Sequence, residues 1–171
     1  EPIVTNEIYH IFNRGIASQP TFFDKRCYNR ALESFFYYQN TNPPIKYSRF
    51  LTLPEKERFG ILQDLSQKRN HLAEVISYCL MPNHFHFLLK QTRDGGIAKL
   101  IGNFTNSYTR YVNTKQERTG PLFGGKFKSV RIETQEQLLH VSRYIHLNPY
   151  TSFVIKTTQD LREYPYSSFP E

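Results

Sequence analysis

The stretch that most constrains the fold of this chain is Leu72 to Lys90. Leu72 to Met81 is an extended apolar run, Pro82-Asn83 supplies turn chemistry, and His84 to Lys90 is a second apolar run. Two β-rich runs joined by two turn residues predict a β-hairpin, with its strands adjacent in one sheet. A sheet of that kind has to be covered, so the remaining elements are read for what could pack on it.

Ile8 to Arg14 is short, β-rich and stopped by Gly15, and reads as the first strand. Asp24 can cap a helix running to about Gln39, with Tyr28, Leu32, Phe35 and Phe36 along one side. Asn40 to Pro44 breaks the chain, and a polar stretch with a helix from Pro54 to about Asn70 follows, so residues of about 40–70 read as an insertion. After the hairpin, Ile97, Leu100, Ile101, Phe104, Tyr108 and Tyr111 recur at helical spacing up to about Lys115. Lys126 to Ile132 alternates as a strand. Gln135 to Asn148 is a helix that Pro149 is expected to halt, because proline disfavours helical geometry in the residue before it. The order strand, helix, two strands, helix, strand, helix predicts a single α+β domain over residues 1–171: a ferredoxin-like antiparallel sheet with helices packed on one face.

With 171 residues the chain can bury a core without disulfides or a structural metal. Its 22 Lys and Arg against 15 Asp and Glu give a formal charge of +7, which favours a polyanionic partner, nucleic acid first. Tyr and Phe are abundant; such rings either stack on unpaired bases or fill the core, and the core must claim most of the Phe. Cys27 and Cys79 are too few for a disulfide framework and lack a zinc spacing, so they read as reduced thiols of a cytoplasmic protein. No apolar run approaches bilayer-spanning length, so no membrane role is expected.

Two constellations carry chemistry. Side chains alternate along a strand, so His84 and His86 project from one face while Phe85 and Phe87 enter the other. Paired neutral imidazoles suit a divalent cation, although the same pair could be two ordinary hydrogen-bonded histidines. On the last helix Tyr144 and Asn148 lie four residues apart, one turn on the same face, flanking an apolar stripe of Leu138, Val141, Ser142 and Ile145. Taken alone, they are also an amphipathic tyrosine at the core boundary and an asparagine ending a helix.

The combination is more specific. Tyr78 to Leu89 (Tyr-Cys-Leu-Met-Pro-Asn-His-Phe-His-Phe-Leu-Leu) occurs with Ser142 to Pro149 (Ser-Arg-Tyr-Ile-His-Leu-Asn-Pro), with Tyr9 to Gly15, with Pro121-Leu122-Phe123 leading into Lys126 to Ser129, and with Tyr164 to Phe169. With these stretches in order along nearly its whole length, the chain resembles the REP-associated tyrosine transposases, relatives of the single-tyrosine insertion-sequence transposases among the HUH endonucleases. The resemblance implies that His84 and His86 are metal ligands, that Asn148 completes the site, and that Tyr144 is the nucleophile. His140 and His146 are alternative ligands on reach alone. It further implies Mg²⁺ or Mn²⁺ as cofactor and cleavage of single-stranded or hairpin DNA, leaving a 5′-phosphotyrosine and a free 3′-hydroxyl, so that religation needs no ATP.

For DNA contact the sequence nominates Arg14, Lys126, Lys128 and Arg131, cations on elements near that site. Gly124-Gly125 reads as a turn. Tyr108 and Tyr111 fall on the apolar face of their helix and read as core rather than as rival nucleophiles. No general base is evident, and monomer and homodimer stay open. Two other functions also stay open: a non-catalytic single-stranded nucleic-acid binding module, and a metal-dependent hydrolase that makes no covalent adduct.

Overall fold

In the computed structural model, which describes residues 2–169, strands β1 (Ile8–Arg14), β2 (Ala73–Met81), β3 (His84–Gln91) and β4 (Lys128–Ile132) form one antiparallel sheet in the order β2-β3-β1-β4. This is the ferredoxin-like order: the hairpin strands are neighbours, and β1 is inserted between β3 and β4. The register sets Arg14 opposite His84, Phe12 opposite His86 and Lys128 opposite Phe12. Residues directly opposite each other in an antiparallel pair share a face. Ile8, His10, Phe12 and Arg14 therefore lie on the histidine face, and Tyr9 and Ile11 on the other.

That other face is the main core. Helices α1 (Lys25–Gln39) and α4 (Gly96–Lys115) cover it. Phe35 of α1 stacks on Phe87 with ring centroids 4.0 Å apart, and Phe104 of α4 meets both edge-on. Phe22, Phe50, Phe85 and Phe123 are buried with them, so the core takes seven of the 14 phenylalanines, half rather than most of them. The side chain of Asp24 caps α1 by accepting from the Cys27 amide at 2.8 Å and is bound by Lys115 at 2.6 Å, which ties the end of α4 to the start of α1.

Gly96 opens α4 hard against the start of β2, where a Cβ would stand 2.2 Å from the carbonyl oxygen of Leu72. Backbone cannot yield as a flexible side chain does. Gly96→Ala is therefore expected to lower stability by about 1–3 kcal/mol, read as a drop in the urea midpoint at unchanged slope; an unchanged midpoint would show that α4 shifts freely.

The structure differs from the sequence expectation in where one helix lies and where it ends. α1 and α4 share a face as expected, but α5 (Gln135–Thr151) crosses the opposite, histidine-bearing face. The reason is apolar surface: Ile8, Met81, Leu88 and Ile132 also project there, and Leu138, Val141 and Ile145 of α5 bury them. Nor does α5 stop at Asn148. Pro149 sits inside its last turn, buried, and the helix closes at Ser152. A proline so near the end removes one helical hydrogen bond, while its own carbonyl still accepts from Val154 and Ile155.

Residues 40–70 leave and rejoin the body at one place, where Thr41 donates to Asn70 and Leu72 to Gln39. Between these points lie α2 (Tyr47–Phe50) and α3 (Glu55–Lys68); α2 docks on α1 through Tyr47 and Phe50, whose rings lie 5.1 and 5.0 Å from that of Tyr37. At the other end of the chain, residues 164–169 run along β2: Leu80 donates to the carbonyl of Tyr166 at 2.8 Å, and Ser168 to that of Tyr78 at 3.0 Å. The tail thereby covers a sheet edge that would otherwise offer free backbone groups. Among the described residues no helix is long and apolar enough to cross a membrane.

Candidate active site

Three elements bring the candidate residues together. β3 presents His84 and His86, α5 lays Tyr144 and Asn148 over them, and β1 adds His10 from the side. The rings of His84 and His86 are 5.0 Å apart, and the Tyr144 ring stands edge-on to His86 at 5.4 Å. Asn148 Oδ1 is 3.3 Å from Nε2 of His84. All of these groups come from one chain. Tyr144 is 45 % exposed, whereas Asn148 is 3 % and His86 6 % exposed, so the nucleophile candidate is open to a substrate while the candidate ligands lie beneath it.

The hydrogen bonds fix which nitrogens carry lone pairs. Asn83 donates its Nδ2 to the carbonyl of Ser18 at 3.0 Å, which turns its Oδ1 toward Nδ1 of His84, 2.6 Å away. His84 must therefore carry its proton on Nδ1, and its Nε2 lone pair faces the Asn148 oxygen. Both atoms then present lone pairs to the same space, and Oδ1 of Asn148 also accepts from the Ser152 hydroxyl at 3.2 Å. Nε2 of His86 is buried and has no hydrogen-bond partner, while its Nδ1 is 2.9 Å from Nε2 of His10. Burial, followed by the nearby charges of His84, His10 and Arg14, pushes His86 down to about 2. Burial also lowers His84 and takes His10 to about 4. The imidazoles are thus neutral at physiological pH, the form that binds metal. Among the described residues no group of three His, Cys, Asp or Glu side chains is arranged to hold a metal ion; the oxygen nearest the two histidines of β3 is the Asn148 amide oxygen, 3.3 Å from His84.

The other candidates divide. Arg14 adjoins His84 across the β1–β3 ladder, and its charge is felt by both histidines. Lys128 shares the histidine face, and Lys126 follows the Gly124-Gly125 turn, which is bound to the end of β1 by the Gly124 amide on the Arg14 carbonyl at 2.8 Å. Gly125 has φ +98°, a backbone that glycine tolerates best. Arg131 stands opposite Tyr9 on the far face of β4 and pairs with Glu7 at 3.0 Å, so it does not join the site. His146 lies 3.0 Å from the hydroxyl of Ser168 in the tail, and His140 is exposed in a shallow depression with Arg143. Tyr108 is fully buried and donates to the carbonyl of Thr21 at 2.8 Å. Tyr111 is half-buried beside it, on the far side of the sheet.

His10 was not singled out by sequence reasoning. The signal was available: alternation along β1 puts His10 on the face of Arg14, which had already been placed near the site.

The pattern described as "Transposase IS200 like" matches residues 46–148, more than half of the chain, including both histidines, Tyr144 and Asn148. The chain belongs to the IS200-like transposase family. Among solved structures it is similar to a REP-associated tyrosine transposase bound to a REP hairpin, with a TM-score of 0.67 and 12 % identity over 99 % of this chain and 81 % of that one. At that identity the likeness is one of fold. No curated protein matches the chain.

Proposed function

We propose that this protein is a single-tyrosine transposase of the REP-associated kind, which cuts and rejoins single-stranded DNA at hairpin-forming repeats through a 5′-phosphotyrosine on Tyr144. The observation that carries this reading is the convergence of three neutral donors with an exposed tyrosine: Nε2 of His86 without a partner, Nε2 of His84 facing Oδ1 of Asn148, and Tyr144 edge-on above them. His84, His86 and Asn148 would hold Mg²⁺ or Mn²⁺. Bound there, the ion would supply Lewis-acid charge to the phosphate, and with three neutral ligands no protein carboxylate would offset its formal charge.

The protein's own groups do the rest. Tyr144 provides the attacking oxygen: its O–P bond forms as the P–O3′ bond breaks, the phenol proton is lost to water, and the leaving 3′ oxygen takes one up. One ester replaces another, so the reverse attack by a 3′-hydroxyl reseals the strand. Arg14, beside His84, is placed to meet backbone phosphate. Hairpin DNA as the partner is supported by the hairpin bound in the structurally similar transposase. Since Tyr144 and the histidines of one chain already meet, the site can act in cis.

Incubation of the purified protein with labelled hairpin DNA carrying a single-stranded flank, in Mn²⁺ or in EDTA, tests the proposal. Cleavage in Mn²⁺ alone, with a free 3′-hydroxyl product, is expected. No cleavage of any hairpin would favour a binding module, and cleavage leaving both ends free of protein would favour a hydrolase.

Binding should fall steeply with salt, because cations on phosphate displace condensed counterions. Replacing Lys126 and Lys128 together by Ala should flatten the log–log slope by about 1–1.5, from roughly 0.7 per single-strand phosphate contact. An unchanged slope, measured by fluorescence anisotropy, would take those lysines out of the interface.

A further inference from the structure

We propose that His10 is a positioning residue for the metal site, holding His86 in the tautomer and ring orientation that turn its Nε2 lone pair toward the ion; the inference rests on the metal-site reading above. The bond that carries it is the 2.9 Å contact between Nε2 of His10 and Nδ1 of His86. The two ring centroids are 5.0 Å apart, so these nitrogens lie between the rings and the imidazoles meet at their edges. One nitrogen must donate and the other accept. If His10 donated, His86 would carry its own proton on Nε2, a buried atom with no acceptor in reach, leaving a polar hydrogen stranded away from water. If His86 donates from Nδ1, its buried Nε2 becomes a free lone pair beside the His84 ring, whose centroid is 5.0 Å away. Only the second arrangement leaves every group satisfied once the ion is bound. A metal-ligating histidine commonly gives its other ring N–H to an orienting acceptor, and here a second histidine takes that part.

The surroundings keep His10 in place. Its ring lies 4.9 Å from Phe12 on its own strand and 6.1 Å from Tyr144, whose edge closes the far side. The β1–β3 register, with Phe12 opposite His86 and His10 opposite Leu88, makes the contact diagonal across the ladder, within reach of a long ring. His10 does not itself point at the His84–Asn148 pair, so it is assigned orientation rather than ligation.

Mn²⁺ titration of the full-length protein by calorimetry tests this, in wild type, His10→Phe, His10→Gln and His84→Ala, each first checked for an unchanged melting transition. His10→Phe keeps a ring in the packing but removes the acceptor, and should weaken Mn²⁺ binding by about 10–100-fold. His10→Gln places an amide oxygen near the same position and should restore most of the affinity, which a packing role would not do. In metal-free wild type, nitrogen chemical shifts should report His86 protonated at Nδ1. If wild type binds Mn²⁺ and His84→Ala does not, while His10→Phe binds as tightly as wild type, the positioning role is overturned and the metal site stands. If wild type fails to bind Mn²⁺ at all, the metal-site reading falls and this inference with it.

Discussion

Tyr144→Phe should abolish DNA cleavage and the covalent adduct while leaving the fold and DNA affinity in place. The substitution removes only the hydroxyl. The ring, edge-on to His86 at 5.4 Å and to His10 at 6.1 Å, stays where it is. Because Tyr144 is 45 % exposed, loss of its hydroxyl strands no buried partner, and stability should move by no more than about 0.5 kcal/mol. The contrast is Tyr108→Phe. Tyr108 is buried and bonded to the Thr21 carbonyl, so removing its hydroxyl leaves an acceptor unpaired and should cost about 1–3 kcal/mol, yet cleavage per folded molecule should persist. Gel assays on labelled hairpin DNA, run beside urea melts, separate the two effects. Full cleavage by Tyr144→Phe would pass the nucleophile to water or to another tyrosine.

Replacing His84 or His86 by Ala should reduce divalent-metal affinity below detection and remove cleavage with it, because two of three donors cannot be lost singly without opening the site. The two variants should differ in stability. His84 is half-buried at the mouth, and its removal should be nearly silent in a melt. His86 lies beneath α5 at 6 % exposure and bonds to His10, so its truncation leaves a cavity and should cost about 1–3 kcal/mol. The sequence alone suggested an open sheet face, where both histidines would be dispensable to the fold; the cover provided by α5 changes that for His86. Calorimetry with Mn²⁺ checks the pair, and wild-type affinity in both variants would remove these histidines from any metal site.

How much of this was legible follows from the range over which each signal acts. The β2–β3 hairpin was plain because turn chemistry and alternation are local, and alternation within β3 was enough to put His84 and His86 on one face. The pairing of Tyr144 with Asn148 needed only helical periodicity, as did the burial of Tyr108. What was hidden depends on register and layering. The contact of His10 with His86 exists only because β1 pairs antiparallel with β3 in one register, and no local pattern in either strand states it. That α5 crosses the histidine face follows from apolar residues on three different strands, Ile8, Leu88 and Ile132, which form a single patch only after the sheet has assembled. Arg131 was placed with the cations because its strand was recognised, but which face it takes rests on the Tyr9 pairing and on Glu7. Pro149 misled for the opposite reason: a sound local rule predicted a stop, yet one lost hydrogen bond at the end of a packed helix is a small cost.

If Tyr144 takes the phosphate, the covalent adduct can be mapped to it. Wild-type protein is incubated with hairpin DNA in Mn²⁺, denatured, digested with nuclease and protease, and the peptides are read by mass spectrometry. A nucleotide phosphate is expected on the peptide containing Tyr144, at the tyrosine itself, and nowhere else. Cleaved DNA with no modified peptide, or a modification on Tyr108, Tyr111 or any other residue, would contradict it.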